Sequence, residues 1–376
     1  MFKWLIRICL LIVALLMLFA VGFKLIFGGG KPYPDISTEP LLDRSAIAAP
    51  IALPFPPGMV ASAPDGRLFY TYHMLHKPER FTEATVFEWV DGQGIPFPAG
   101  AQQELLHGAM GIHADAHGRL WVIKPGALEG KRTQLLAFDR ESGHLLINYA
   151  FADGEAGFAQ DLRVSPDGKT VFLADTGLFY FTAASLIVFD VETQTVRTLL
   201  RGHPAVSAQN WVMRKTDGSP YRLALGLLTF VVGVDGIALT ASGDWLYFAT
   251  MSHDSLYRVP TSVLLDPNLN DEEIASMIEF VGHKPMSDGI ELLPDNSVVI
   301  TDVENGGLAL MAPDGTLTTL TKQAQVDWAD SVTVSPDGAI WFTDSRLTAL
   351  INQFAQPADA ETLRASGPYP IYRVTY

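Results

Sequence analysis

Cysteine is almost absent from this sequence. The one cysteine among 376 residues, Cys9, lies in an N-terminal apolar segment. The rest of the chain therefore has no disulfide, no thiolate zinc site and no cysteine nucleophile. Neither a Gly-x-Ser-x-Gly elbow nor a His-Glu-x-x-His zinc motif occurs, so the sequence carries no signature of a serine hydrolase or zinc protease.

Positive charge is also scarce. Residues 1–31 hold four of the 26 bases and none of the 41 acids, so the remainder has 22 bases against 41 acids, a net charge of −19. Such a body repels phosphate backbones, and nucleic acid is excluded as a partner. It favours cations, whether metal ions or protonated amines.

The N-terminal segment is apolar enough to cross a bilayer. Ile8 to Phe23 contains no charged residue, and Leu25 to Phe27 extend the run past Lys24. A helix over about residues 5–27 spans about 30 Å, and the preceding Lys3 and Arg7 place its N-terminus in the cytoplasm. Cleavage as a signal peptide after the small residues near Ala20 is the alternative. In either case we expect an exported, periplasmic-side body, tethered in the first case and secreted in the second.

One hairpin pattern, a strand, a tight turn and a second strand, occurs six times in the sequence. Its copies are residues 58–72, 110–123, 160–174, 235–249, 288–301 and 330–343. Position two is always apolar and position four mostly so, which indicates strands with one buried face. Position eight is Gly in five copies and Asn296 in the sixth, residue types that accept positive φ in a tight turn. Six hairpins at this spacing predict an all-β, six-bladed β-propeller preceded by one transmembrane helix.

The repeat also divides the chain. We expect a membrane anchor over residues 1–30, a linker over 31–50 and the propeller over 51–376, ending in a strand at 370–376. Two insertions interrupt the repeat, one over 201–234 and one that holds a short helix over 271–280 capped by Asn270.

Position zero of each hairpin predicts an axial ring, because first strands line the channel of a propeller. The ring residues are Gly58, Met110, Gln160, Asp235, Asp288 and Asp330. Three converging aspartates repel one another unless a cation or hydrogen-bond donors compensate them. They are candidate ligand or metal residues, and the alternative is that each carboxylate only caps neighbouring backbone.

Loops after the second strands supply further candidates. His253 and Glu304 are weak catalytic candidates, and Asn305 and Trp328 are candidate ligand-binding residues. A loop histidine is more often solvated than catalytic, and a tryptophan more often packs in the core. The repeat leaves open which mouth of the channel these loops reach.

The stretches 199–204, 234–261, 287–306 and 328–343 resemble the major royal jelly protein/Yellow family. The resemblance runs from about residue 57 to 376 and implies a secreted six-bladed propeller with a central ligand cavity. Its members are linked to dopachrome-related isomerisation in some cases and to binding of small amines in others.

A wider resemblance is to the gluconolactonase/paraoxonase-like propellers, which hold catalytic calcium at the same inner ring. It implies that Asp235, Asp288 and Asp330 are possible calcium ligands. Gly58 and Met110, however, stand where oxygen ligands would be expected, and calcium requires six to eight oxygens.

These observations favour a membrane-tethered propeller that binds a small cationic or aromatic ligand in its axial cavity, with isomerase-like activity as a possible extension. The alternatives are a calcium-dependent lactonase or esterase, and a non-enzymatic scaffold for an unknown envelope protein. The sequence does not decide whether the protein is an enzyme.

Overall fold

A computed structural model describes residues 2–322 and 325–376 of the chain. Helix α1, Phe2–Phe27, comes first and contains Lys3–Phe27, a span long and apolar enough to cross a membrane. The short strand β1, Lys31–Pro32, and strand β2, Ile47–Leu53, follow it. The helix stands apart from the body along most of its length, and its side chains are largely exposed.

Six four-stranded antiparallel sheets make up the body, which confirms the predicted six-bladed β-propeller. Blade one comprises β3 Pro57–Ser62, β4 Leu68–Tyr72, β5 Val86–Val90 and β6 Gln93–Pro96. Blade two comprises β7 Ile112–Ala114, β8 Arg119–Lys124, β9 Gln134–Asp139 and β10 Leu145–Ala150. Blade three comprises β11 Ala159–Val164, β12 Thr170–Asp175, β13 Ser185–Asp190 and β14 Val196–Leu199.

An insertion with three two-residue strands separates blades three and four: β15 Trp211–Val212, β16 Arg222–Leu223 and β17 Leu228–Thr229. Blade four comprises β18 Val234–Leu239, β19 Trp245–Thr250, β20 Ser255–Pro260 and β21 Glu279–His283. Blade five comprises β22 Ile290–Leu292, β23 Val298–Asp302, β24 Gly307–Met311 and β25 Leu317–Lys322. Blade six comprises β26 Ala329–Val334, β27 Ile340–Asp344 and β28 Tyr369–Val374.

Strand β2 completes blade six as its outermost strand, in the order β2-β28-β27-β26. Ile47 pairs with Val374 and Leu53 pairs with Tyr369. The two ends of the propeller sequence therefore meet in one sheet, which closes the ring.

The repeated turns have the geometry that their residue types predicted. Asn296 adopts φ 64°, and the glycines at the same position in the other five hairpins also have positive φ. Apolar side chains from neighbouring blades then pack face to face, as Phe172 and Leu186 do against Ile237 and Phe248 between blades three and four.

Helices are short outside α1: α2 Thr261–Leu265, α3 Asp271–Ala275, α4 Leu347–Leu350 and α5 Ala360–Ala365. Short 3₁₀ segments lie at Arg44–Ala46, Met74–His76, Pro78–Arg80, Gly100–Leu106, Ala127–Glu129 and Ala224–Gly226. Asn270 caps α3 as expected, accepting a hydrogen bond from Glu273 N at 3.0 Å. The prediction that this helix reaches residue 280 is wrong, because Glu279–His283 pairs with β20 as the outer strand of blade four.

The segment between α1 and β2 lies against the propeller. Lys31 pairs with Trp211 in a parallel bridge, and the Leu41 and Leu42 amides donate to Thr319 and Leu320 at the edge of blade five. The end of α1 is thereby held against the body.

Candidate functional site

A cavity opens on the propeller axis at the mouth where the first strands begin. About 990 Å³ of space lies within it, a figure that includes the open solvent at its mouth. All six position-zero residues line it: Gly58, Met110, Gln160, Asp235, Asp288 and Asp330. The structure therefore brings together residues that are up to 272 positions apart in the sequence.

A β-bulge turns these side chains towards the axis. The register of the first strand against the second shifts around Gly58, Gln160, Asp235 and Asp330. A bulge leaves a residue without a partner across the ladder and re-aims its side chain, as is common beside binding sites. This irregularity occurs in four of the six blades, and the ladders that follow the other two ring residues, Met110 and Asp288, have a regular register.

Three carboxyl groups form the acidic part of the cavity floor. Trp328 Nε1 donates to Asp288 Oδ2 at 2.6 Å, and His73 Nε2 lies 3.6 Å from Asp330 Oδ2. No donor among the described residues reaches Asp235 Oδ2. The neighbouring Asp288 carboxyl is close enough to share a proton with Asp235.

Burial makes ionisation of this floor unfavourable. It raises the pKa of Asp330 to about 7. Burial, together with the negative charges of Asp161 and Asp330, raises the pKa of Asp235 well above the usual range. Burial, together with the charges of Asp330, Asp235 and Asp161, raises the pKa of Asp288 in the same way. Around neutral pH the floor therefore retains protons that isolated aspartates would lose, and a bound cation would reverse this.

His73 is a floor residue that the sequence analysis missed. Its Nδ1 accepts a hydrogen bond from Leu75 N at 3.3 Å, so in the neutral ring the proton is on Nε2, which faces Asp330. Burial lowers the pKa of His73 to about 4, so the ring is neutral. The repeat offered one signal for His73. It occupies the same position of the blade-one hairpin, two residues after Thr71, as Ser345 occupies in blade six, two residues after Thr343.

The walls above the floor are apolar. They include side chains from the insertion and from the loops that follow the second strands: Phe179, Tyr221, Leu223, Phe230, Val232, Met251, Leu347 and Ile351. Tyr221 and Phe230 pack with their ring centroids 4.9 Å apart, and Phe230 packs edge-on against Phe179 at 5.6 Å. A ligand would therefore meet an apolar shaft that ends in carboxyl groups.

The other candidate residues lie outside the cavity lining. Trp328 is fully buried and supports Asp288 from behind. Asn305 Nδ2 donates to Asp302 at 2.9 Å. Glu304 accepts from the backbone and side chain of Arg214, and Arg214 Nε lies 3.2 Å from its carboxylate.

His253 is also engaged locally. Its Nδ1 accepts from Ser255 N at 3.0 Å, and burial lowers its pKa to about 4. The loops that carry these residues emerge at the same mouth as the acidic floor, because each second strand ends where its first strand begins. Direct catalytic roles for His253 and Glu304 have no support from this geometry.

The opposite mouth has different electrostatics. Arg163, which lines a second axial cavity there, donates to Asp161 at 2.7 Å and lies 3.3 Å from Glu291. Both carboxylates have a charged partner. Unpaired acidity is therefore a property of the first cavity.

The residues of the floor do not fit a calcium site. Calcium requires six to eight oxygen ligands, whereas the ring offers three carboxyls and the amide of Gln160 beside Gly58 and Met110. Asp288 Oδ2 is already bonded to Trp328. Within residues 2–322 and 325–376, no group of three or more His, Cys, Asp or Glu side chains is placed to hold a metal ion.

The fold and site define a class: six-bladed propellers with a cavity at one mouth of the central channel. Within that class, the family model for major royal jelly protein matches residues 107–362, which is more than half of the chain. The protein belongs to this family. No curated protein matches the chain in a sequence search.

Solved structures confirm the wider fold. A gluconolactonase from Xanthomonas campestris superposes with a TM-score of 0.57 at 11% identity, covering 93% of this chain and 97% of its own. A luciferin-regenerating enzyme gives 0.54 at 11% identity, with coverages of 88% and 95%. Regucalcin, a calcium-binding protein from Agrobacterium tumefaciens, gives 0.50 at 12% identity, with coverages of 87% and 93%. At these identities the likeness establishes the fold alone.

Proposed function

We propose that this protein binds a small organic cation with an apolar body, such as an aromatic amine, in its axial cavity. The observation that carries the proposal is a floor of three buried carboxyls without a cationic side chain among its described partners, at the end of an apolar shaft. Charges buried in this way are usually paired. A protonated amine would supply the missing positive charge.

The two parts of the ligand would be recognised separately. The ammonium group would lie among Asp235, Asp288 and Asp330, where low polarity strengthens charge–charge attraction. The apolar body would pack against rings such as Tyr221 and Phe230, which also offer faces suited to a cation. The membership in the royal jelly family, some of whose members are linked to amine binding, agrees with this division.

The test compares phenethylamine with 2-phenylethanol, which has the same aromatic body and no charge. Isothermal titration of the full chain in nanodiscs is expected to give binding for the amine alone. Asp235→Asn is expected to weaken it on the order of 30-fold or more, since losing one partner of a buried charge pair costs about 2–5 kcal/mol.

Asp302→Asn is the matched control. Asp302 is also a buried aspartate, burial raises its pKa to about 6, and it does not line the cavity. Equal affinity for the amine and the alcohol, or equal losses in the two variants, would contradict the proposal. Absence of any binding, with a propeller that still retains another envelope protein on purification, would favour the scaffold alternative.

Isomerisation of the bound ligand is a second candidate function, favoured by the mixture of protonated and ionised carboxyls. Asp330, which lies 3.6 Å from His73 Nε2, would accept a proton from a ligand carbon, and the Asp235–Asp288 pair would donate its shared proton to a ligand oxygen. One proton enters and one leaves, so the chemistry balances. Turnover of dopaminechrome that disappears in Asp330→Asn and survives in Asp302→Asn would support it.

The calcium-dependent lactonase alternative draws on the names of the gluconolactonase and regucalcin structures and on nothing in the floor itself. Lactone hydrolysis that is lost with a chelator and restored by calcium would revive it. Hydrolysis unaffected by a chelator, or none, would remove it.

Helix α1 would tether the propeller. Lys3 and Arg7 at its start favour a cytoplasmic N-terminus, which places the propeller on the periplasmic or extracytoplasmic side. Protease accessibility of the propeller in intact spheroplasts, and retention of residues 1–30 in the mature protein, would test the side and the anchor. Loss of that segment would indicate signal-peptide cleavage and secretion.

A further inference from the structure

The end of helix α1 lies against the rim of the axial cavity. The Phe27 ring lies 5.4 Å from the ring of Tyr180 and 6.2 Å from that of Phe181, just after Phe179 in the cavity wall. Thr229 Oγ1 donates to Gly29 O at 2.7 Å. The helix therefore enters the body at the acidic mouth and not at the opposite one.

Large apolar side chains are exposed around this mouth. We use the name mouth rim for Leu128, Tyr180, Phe181, Leu225 and Phe354, which lie in or within two residues of segments that line the cavity. Their exposed fractions are 48%, 41%, 59%, 73% and 61%. Large exposed apolar side chains grouped around one mouth are typical of a contact with a partner or a membrane.

The backbone of the rim is held in unusual conformations. Ala224 and Leu225 both have positive φ, at 50° and 57°, as do Phe179 at 51° and Ala355 at 56°. Non-glycine residues in this region cost free energy and are retained mainly at functional sites. Of these residues, Leu225 belongs to the mouth rim and is exposed, whereas Phe179 packs against Phe230 in the cavity wall.

The insertion that contributes Leu225 to the rim is less acidic than the rest of the body. Residues 201–233 carry four bases and the single acid Asp217, whereas the chain without residues 1–31 has a net charge of −19. Arg214 is paired with Glu304, and the remaining three bases suit a segment close to an anionic bilayer.

We infer that the mouth rim docks on the outer surface of the bilayer that α1 spans, so that the axial cavity opens onto lipid. We assign a bilayer to this surface because the rim adjoins the apolar helix. Helix α1, about 39 Å long, contains the apolar span that ends at Phe27, and the Phe27 ring packs against Tyr180 of the rim. A bilayer crossed by α1 must end near this level. The rim is the part of the propeller at that level.

A consequence for the ligand rests on the proposed function. A cavity that opens onto lipid takes its ligand from the bilayer, so the class we assign is a lipophilic or amphiphilic cation rather than a freely water-soluble one. Its charged group would leave the headgroup region for the acidic floor while its apolar part stays in the shaft.

The docking test needs no ligand. In a Cys9→Ser full-length chain, single cysteines at Phe181→Cys, Leu225→Cys and Phe354→Cys carry an environment-sensitive fluorophore in nanodiscs of phosphatidylcholine and phosphatidylglycerol. We expect blue-shifted emission that lipids with a nitroxide near the headgroup quench. Ala241→Cys is the control, since Ala241 is exposed and lines the opposite mouth.

The docking would be overturned if fluorophores at the rim positions showed the same emission wavelength and the same weak quenching as the fluorophore at position 241. Discs that hold one chain each exclude a second copy, so shielding seen only with two chains per disc would reassign the rim to a dimer contact. For the ligand, octylamine should bind more tightly than butylamine in discs. Failure of both amines with intact quenching would contradict the proposed function and leave the docking in place.

Discussion

Replacing Asp330 with Asn should stabilise the protein in the absence of ligand, and the gain should depend on pH. Burial raises the pKa of Asp330 from 3.8 to about 7. The folded state therefore holds this proton more tightly than the unfolded state does. Between these two values stability falls as the pH rises, and the penalty is complete above about 7.

The size of the effect follows from that difference. Each pKa unit corresponds to 1.36 kcal/mol, so the ionised Asp330 side chain costs the folded state on the order of 4 kcal/mol at pH 8. Its charge also raises the pKa of Asp235 and Asp288. Removing it therefore relieves those carboxyls as well, while at pH 4 little should change.

Urea unfolding of the wild type and Asp330→Asn at pH 4, 6 and 8 measures this directly. Asp337→Asn is the control of opposite sign, because Asp337 is exposed and hydrogen bonds from Ser335 and Arg373 lower its pKa to about 2. That variant should lose a little stability at pH 8. A stability gain for Asp330→Asn that is the same at all three pH values would refute an electrostatic origin.

Three further outcomes are expected. Amine affinity should increase as the pH rises through about 7, because Asp330 ionises there, and titration calorimetry from pH 5.5 to 8.5 would show a flat profile if the floor did not bind the charge. Trp328→Phe removes the 2.6 Å hydrogen bond to Asp288 and should lower the free energy of unfolding by about 1–3 kcal/mol and weaken amine binding; an unchanged urea midpoint would contradict the supporting role of Trp328. Washing with a chelator and then adding calcium should leave amine affinity unchanged, whereas a calcium-dependent affinity would indicate a metal in the floor.

The fold was predictable because one local pattern determines it. Each hairpin places apolar residues at positions two and four and a turn residue at position eight, and these are short-range properties of the sequence. The axial ring followed because position zero lies within two residues of the start of the first strand in every blade. The three aspartates reached the cavity for that reason alone.

The rest of the site depends on contacts that the repeat does not encode. His73 follows a second strand and becomes a floor residue through the short 3₁₀ turn Met74–His76. In the sequence, Glu304 was a catalytic candidate and Asn305 a ligand-binding candidate. Hydrogen bonds with Arg214 and Asp302, respectively, hold them outside the cavity lining. The apolar walls come largely from an insertion without a repeat pattern.

The closure of blade six by β2 sets an order on assembly. Strand Ile47–Leu53 is synthesised before the other strands of the six blades, whereas its partner Tyr369–Val374 is synthesised last. Strand β2 of blade six therefore cannot pair until the last strand of the chain is available, so the ring closes only after every other blade is complete. Removal of the C-terminal strand would leave both β2 and β27 without the strand that lies between them.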